Sequence, residues 1–157
     1  LETYRRIEGL VDYIAGKYHN TVEIGIGCFP DVASHLIERG VHVFATDIRP
    51  YYYNDIKVFV DDVKNPLFIL YEDIDLVYSM RTPSELVPYM INLAKKIPAD
   101  LIVKPLSSEY LGGQLVSYGN TTFFLWKYGS NNYDSNYPVI PATGGMTMRK
   151  GNLNEKE

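Results

Sequence analysis

The sequence predicts a single three-layer α/β domain, a mostly parallel sheet closed by a C-terminal antiparallel hairpin. Three observations carry that expectation. Apolar runs alternate with helical patterns through about residue 104. The first run enters a glycine turn from which a helical pattern leaves, Val22-Glu23-Ile24-Gly25-Ile26-Gly27-Cys28-Phe29-Pro30-Asp31-Val32-Ala33. After the fifth run, two β-rich stretches flank Gly119-Asn120, a permitted two-residue hairpin turn. Helices between successive strands impose parallel pairing through right-handed crossovers.

Each element has a local reason. In residues 2–18, Tyr4, Ile7, Leu10, Val11, Ile14 and Tyr18 recur at spacings of three and four, so they share one helical face. Gly9 and Gly16 weaken this helix without forbidding it. Strand one spans about 21–26, and the helix after the turn runs from about Pro30 to Arg39, with Pro30 at a position that needs no amide and Gly40 as the stop. Strand two covers about 41–46 and strand three 57–60. A brief helical segment runs from Asn65-Pro66 to about Tyr71, and strand four covers 74–79. Thr82-Pro83-Ser84-Glu85 fits a capping box, so the next helix is expected to start there and to end near Lys96, with Leu86, Val87, Met90, Ile91 and Ala94 inward. Strand five is 100–104, and Ser107–Leu111 allows at most a turn or two of helix. The hairpin pairs 114–118 with 121–127.

Composition bounds the class. With 157 residues, 46% of them hydrophobic, the chain suits one domain and one core, expected over 1–128. Residues 129–157 are polar and show no sustained period, so a mobile or disordered tail is expected. A net charge of −4 and a pI near 5.4 give no strong nucleic-acid signal. No stretch is apolar for the length of a membrane span, and the expected location is the cytoplasm. The chain opens on Leu1 rather than Met, so a missing start or an unusual start codon is expected. One cysteine excludes an intrachain disulfide, and the three histidines lack metal-ligand spacing. The 14 tyrosines, clustered at Tyr51-Tyr52-Tyr53 and late in the chain, read as loop and edge packing, or alternatively as a stacking surface.

The chemistry points to the glycine turn. Gly25 and Gly27 can adopt angles closed to other residues and leave the backbone open to a ligand, while the following helix aims unpaired amides at the same place. Asp47 closes the second strand, where an acid can hold ribose hydroxyls. Together they read as a nucleotide site; without a ligand, Gly-x-Gly is simply a tight turn. Arg81 follows strand four at the mouth of the crevice and can clamp a carboxylate or phosphate, or else bind Glu85 to order its loop. Lys104, ending strand five, is a similar case. Candidate bases are Asp75, Ser79 and Glu109, with Asp75 expected at the far end of its strand. Cys28 reads as a loop-filling thiol, since only His19 stands near enough in the chain to serve as its base.

The combination of Glu23-Ile24-Gly25-Ile26-Gly27, Asp47, Asp62 and the closing hairpin resembles the class I S-adenosylmethionine-dependent methyltransferase fold. More narrowly, residues 22–27, Ala45-Thr46-Asp47-Ile48 and Tyr78-Ser79-Met80-Arg81-Thr82-Pro83-Ser84-Glu85-Leu86 are similar to uncharacterised archaeal protein family 0146, small Rossmann-like proteins with no settled activity. The resemblance covers about 1–127. It implies S-adenosylmethionine as cofactor, with Glu23, Gly25, Gly27 and Cys28 beside the methionine end and Asp47 on the ribose. Asp62, a better match than Asp61, would meet the adenine amino group, and Ile48, Val63 and Ser79 are further cofactor-binding candidates. Ser79 and Arg81 are also the candidates for contact with the methyl acceptor. Two features depart from the methyltransferase pattern. Phe29-Pro30 replaces a later glycine, and Ser79-Met80-Arg81-Thr82-Pro83 replaces the motif of amino-group methyltransferases. Two other readings stand beside this one: an NAD(P)-binding protein, with Arg49 facing a 2′-phosphate, and a non-enzymatic nucleotide-sensing or scaffold module. The short segment after strand five and the lack of a substrate-binding insertion favour the last of these; a small enzyme could instead complete its pocket as a homo-oligomer or with a protein partner.

Overall fold

The computed structural model describes residues 2–129. Helix α1 (Glu2–Lys17) leads into β1 (Asn20–Ile24), α2 (Asp31–Glu38), β2 (His42–Asp47) and β3 (Lys57–Val60). A 3-10 turn at Phe68–Tyr71 precedes β4 (Leu76–Thr82), and another at Ser84–Leu86 precedes α3 (Val87–Lys96). β5 (Asp100–Pro105), β6 (Gln114–Tyr118) and β7 (Thr121–Trp126) follow. The tail expected beyond Gly129 lies outside the described residues.

The strands form one sheet in the order β3-β2-β1-β4-β5-β7-β6. The first five are parallel, and β7 runs antiparallel to both β5 and β6. This is the expected α/β architecture with its closing hairpin. β1 pairs with β2 on one side and β4 on the other, so the winding reverses there and opens a crevice at the carboxyl ends of the strands.

Alternation along the strands divides the core in two. On one face, Leu10, Val11 and Ile14 of α1 and Val32, Ala33 and Leu36 of α2 cover Tyr78, Ile102, Phe123 and Leu125. On the other, Val87, Met90, Leu93 and Ala94 of α3, with Tyr71, cover Val22, Ile24, Val77, Leu101 and Val103. The α1 stripe is the one the helical spacing predicts; in α3 Val87, Met90 and Ala94 are buried as expected, with Leu93 in place of Ile91, which is only partly buried.

One expectation fails for a physical reason. The capping box does not form. Thr82 ends β4, its hydroxyl donates to Ser79 Oγ at 2.8 Å, and α3 begins four residues later than a cap at Thr82 would require. Pro88 explains the shift. In a helix starting at Pro83 it would stand in the interior, with no amide to donate and a ring against the Ser84 carbonyl. Starting at Val87 places it in the first turn, where no amide is needed. Residues 107–111, where at most a turn or two of helix is expected, carry none. β6 points the same way as β5, so residues 106–113 must return from the carboxyl end of β5 to the amino end of β6. A helix rises only about 1.5 Å per residue, and this short return runs as irregular chain instead. It passes over the α3 face, where Leu111 packs on that core.

The hairpin turn docks on α1 at Gly9. The Gly9 amide donates to Asn120 Oδ1 at 3.1 Å, and a Cβ on Gly9 would stand 2.2 Å from the Tyr118 carbonyl oxygen. At the amino ends of the strands, Asp75 accepts the His19 and Asn20 amides, each at 3.0 Å. Asp100 accepts the Tyr18 hydroxyl at 2.7 Å and the Tyr128 and Gly129 amides at 3.0 and 2.9 Å.

Candidate functional site

At the carboxyl end of β1 the chain turns through Gly25 (φ 74°) and Gly27 (φ 53°), both left-handed, a conformation that favours glycine. The turn is tied to the tip of β2. The Gly25 amide donates to the Thr46 carbonyl at 2.8 Å, and the Gly27 amide donates to Asp47 Oδ2 at 2.9 Å. The other Asp47 oxygen accepts the Arg49 amide at 3.1 Å. A carboxylate offers about four acceptor positions, so Asp47 keeps capacity for further donors. Tyr53 closes the opposite side of the turn by donating its hydroxyl to the Gly27 carbonyl. A Cβ placed on Gly25 would meet nothing within 4 Å, so space lies open over the bend. Gly25, Cys28 and Ile48 are exposed around it.

Beneath the turn, the Glu23 carboxyl is fully buried on the α2 face between β2 and β4. Burial pushes its pKa up to about 8; the nearby Tyr78 hydroxyl pulls against that rise, and Asp31 adds to it. Among the described residues, neither Glu23 oxygen nor the Tyr78 hydroxyl makes a hydrogen bond of good geometry, although the two groups perturb each other's ionisation. Burial likewise keeps the Tyr78 phenol protonated, more strongly than the Glu23 charge does.

After β3 the two acids separate in role. Asp61 is half-buried and engaged within the fold, accepting the Tyr71 hydroxyl and the Leu67 amide. Asp62 is exposed, and only its Oδ1 is engaged, by the Lys64 amide at 3.0 Å. Val63 is buried under the α3-side core. At the tip of β4, the buried Ser79 hydroxyl donates to the Ile24 carbonyl at 3.0 Å and accepts from Thr82. It therefore braces β4 against β1, and its proton is already committed. Arg81 is exposed with φ 53°, and its guanidinium carbon stands 4.2 Å from the Phe29 ring centre. Among the described residues it makes no ion pair, with Glu85 or otherwise, so the cation rests on the aromatic face instead.

The remaining candidates disperse. Asp75 and His19 lie at the amino ends of the strands, away from the crevice, which leaves Cys28 without that histidine as a base. Lys104 donates to the Thr122 carbonyl at 2.6 Å, and the exposed Glu109 accepts from Ser107 Oγ at 3.3 Å. Among the described residues no cluster of His, Cys, Asp or Glu could hold a metal, and no helix is long and apolar enough to cross a membrane. The sequence reading missed Tyr53, Thr82 and the Phe29–Arg81 stack. Tyr53 sat inside a tyrosine run read chiefly as packing, and nothing in local spacing marks the other contacts.

Residues 7–128 match the family described as "Uncharacterised protein family (UPF0146)". The chain belongs to this family. A UPF0146 protein of Archaeoglobus fulgidus is 39% identical over 130 residues, covering 80% of this chain and 96% of that protein. A UPF0146 protein of Pyrococcus furiosus is 32% identical over 131 residues, covering 77% and 99% respectively. Among solved structures, a sugar N-methyltransferase from a Streptoalloteichus species superposes with a TM-score of 0.48 at 14% identity, covering 73% of this chain and 51% of that enzyme. The UPF0146 match spans the described strands and helices from Ile7 onward, including the glycine turn, the acids at the tips of β2 and β3, and the hairpin.

Proposed function

We propose that this UPF0146 protein binds S-adenosylmethionine across the tips of β1 and β2 and presents it to an acceptor at the tip of β4. The observation that carries the reading is the open, left-handed glycine turn tied through Gly27 to the Asp47 carboxylate. In this reading Asp47 accepts the ribose hydroxyls with its remaining lone pairs. The bare backbone at Gly25 and Gly27 receives the methionine end, with Cys28 beside it. Ile48, Asp62 and Val63 form the adenine side, and the free Oδ2 of Asp62 suits an exocyclic amine. Glu23, buried and unpartnered below the turn, is a latent negative charge near where a sulfonium would lie.

Bound there, the cofactor supplies an already activated methyl group, and its transfer asks mainly for alignment of the acceptor. The chain's own contribution is then orientation. Ser79 and Thr82 fix the tip of β4, and the Arg81 guanidinium, free of ion pairs among the described residues, offers donors to an acidic acceptor.

Calorimetric titration of the purified chain with S-adenosylmethionine, S-adenosylhomocysteine, NAD and NADP separately tests the reading. Binding of the two sulfur nucleosides but neither dinucleotide is expected. Binding of NAD or NADP alone would replace the cofactor assignment, and binding of none would point to a scaffold.

A further inference from the structure

A cavity of about 470 Å³ lies at the carboxyl end of β5, between the returning segment after Pro105 and strands β7 and β6. That size falls within the usual range for small-molecule sites. In the sheet order β4 separates it from the glycine turn on β1. Its walls combine apolar and polar side chains. Tyr110 stands edge-on to Phe124, with ring centres 5.5 Å apart, and Leu106 and Leu115 are 66% and 59% exposed. Lys104 also lines it. That amine spends one donor on the Thr122 carbonyl and, among the described residues, meets no carboxylate within ion-pair distance. Burial lowers its pKa, the mark of a cation held partly out of water with no counter-charge. Glu109, bonded to Ser107, adds a negative charge to the lining and disfavours multiply charged anions such as polyphosphates.

We propose that this cavity is a binding site for a small molecule with a flat apolar body and a single anionic group, the body packing on Phe124, Tyr110 and Leu115 and the anion meeting Lys104. An aromatic carboxylate is the simplest member of that class. Both halves of the recognition are required by the lining: apolar walls alone would take neutral ligands, and a lone lysine would take any anion. The site stands whether or not a nucleoside occupies the glycine turn, and its test needs no cofactor.

The test uses the full chain labelled with nitrogen-15, titrated with 2-naphthoate and, separately, with its neutral counterpart 2-naphthalenemethanol. Saturable amide shifts are expected at Ser107, Ser108, Tyr110 and Leu115, with Gly25 and Gly27 unmoved, and the acid should bind more tightly than the alcohol. Lys104→Gln should weaken the acid by about tenfold, in line with loss of a charge-assisted hydrogen bond, and leave the alcohol unchanged. Leu115→Glu, at an exposed edge position that threatens no core, should weaken both ligands and the acid more; it decides the matter if Lys104→Gln fails to fold. Shifts absent, scattered or centred on the glycine turn overturn the proposal, as do equal affinities for acid and alcohol.

Discussion

Asp47 uses one acceptor position on each carboxylate oxygen to hold the Gly27 and Arg49 amides, so its removal has two separable effects. The turn loses a tether near water, which costs about 1 kcal/mol of stability. A bound nucleoside loses its ribose acceptor, and affinity for S-adenosylmethionine should fall by tenfold or more, on the order expected for hydrogen bonds to a charged group. Calorimetry and thermal melts of Asp47→Ala check both; unchanged affinity would remove Asp47 from the ribose. Glu23 gives a pH signature instead. In the folded chain its carboxyl keeps a proton up to about pH 8, chiefly because it is buried, whereas unfolded it titrates in the ordinary carboxylate range. Between those values the folded state binds more protons, so rising pH withdraws stability. Glu23→Gln has no such proton to lose. The wild-type chain should therefore weaken relative to Glu23→Gln between about pH 5 and pH 8, by up to a few kcal/mol. Melts at both pH values, with the stability gap unchanged, would refute the burial argument.

At the scale of single elements, α1 offers a paired experiment. Its two glycines look alike in sequence, yet one supports the hairpin turn and the other faces nothing. A Cβ at Gly9 would collide with the Tyr118 carbonyl oxygen, while one at Gly16 would meet no atom within 4 Å. Gly16→Ala should stabilise by roughly 0.5–1 kcal/mol through helix propensity. Gly9→Ala should destabilise by about 1–3 kcal/mol despite the same propensity gain, because the hairpin must shift. Urea unfolding of both variants measures the opposite signs. The elements themselves were largely legible because each rests on local signals: a period of three and four in α1, β-branched runs in β1 and β2, and Gly-Asn between β6 and β7. The start of α3 was misread because the Thr82–Glu85 spacing outweighed Pro88, whose missing amide fixes where that helix can begin. The path of the return after β5 was not legible because it depends on which way β6 points, and that is settled only by pairing with β7.

Across the whole molecule, the candidate chemistry gathers at one end of the sheet, while the acids at the other end make only structural bonds. Asp75 and Asp100 gather amides and a tyrosine hydroxyl at the amino ends, while the glycine turn, Asp47, Asp62 and Arg81 stand at the carboxyl ends. Asp100→Ala leaves the buried Tyr18 hydroxyl and two amides without their acceptor, and a loss of about 2–4 kcal/mol is expected. Nucleoside affinity should be unaffected, which parallel denaturation and calorimetry would verify. This polarity also explains which parts of the site the sequence exposed. Gly25, Gly27, Asp47 and Asp62 follow strands directly, so strand periodicity places them. Tyr53, Thr82 and the Arg81–Phe29 stack arise from contacts between segments, for which one chain's spacing carries no signal.

The helix-free return between β5 and β6 has a dynamic consequence. Among the described residues, the hairpin is sheltered on the α3 side by irregular chain, and the outer edge of β6 carries no strand. In deuterated solvent, amide hydrogens of β6 and β7 should exchange well before those of β1 and β4, with the hairpin peeling away as one cooperative unit while the parallel strands stay shut.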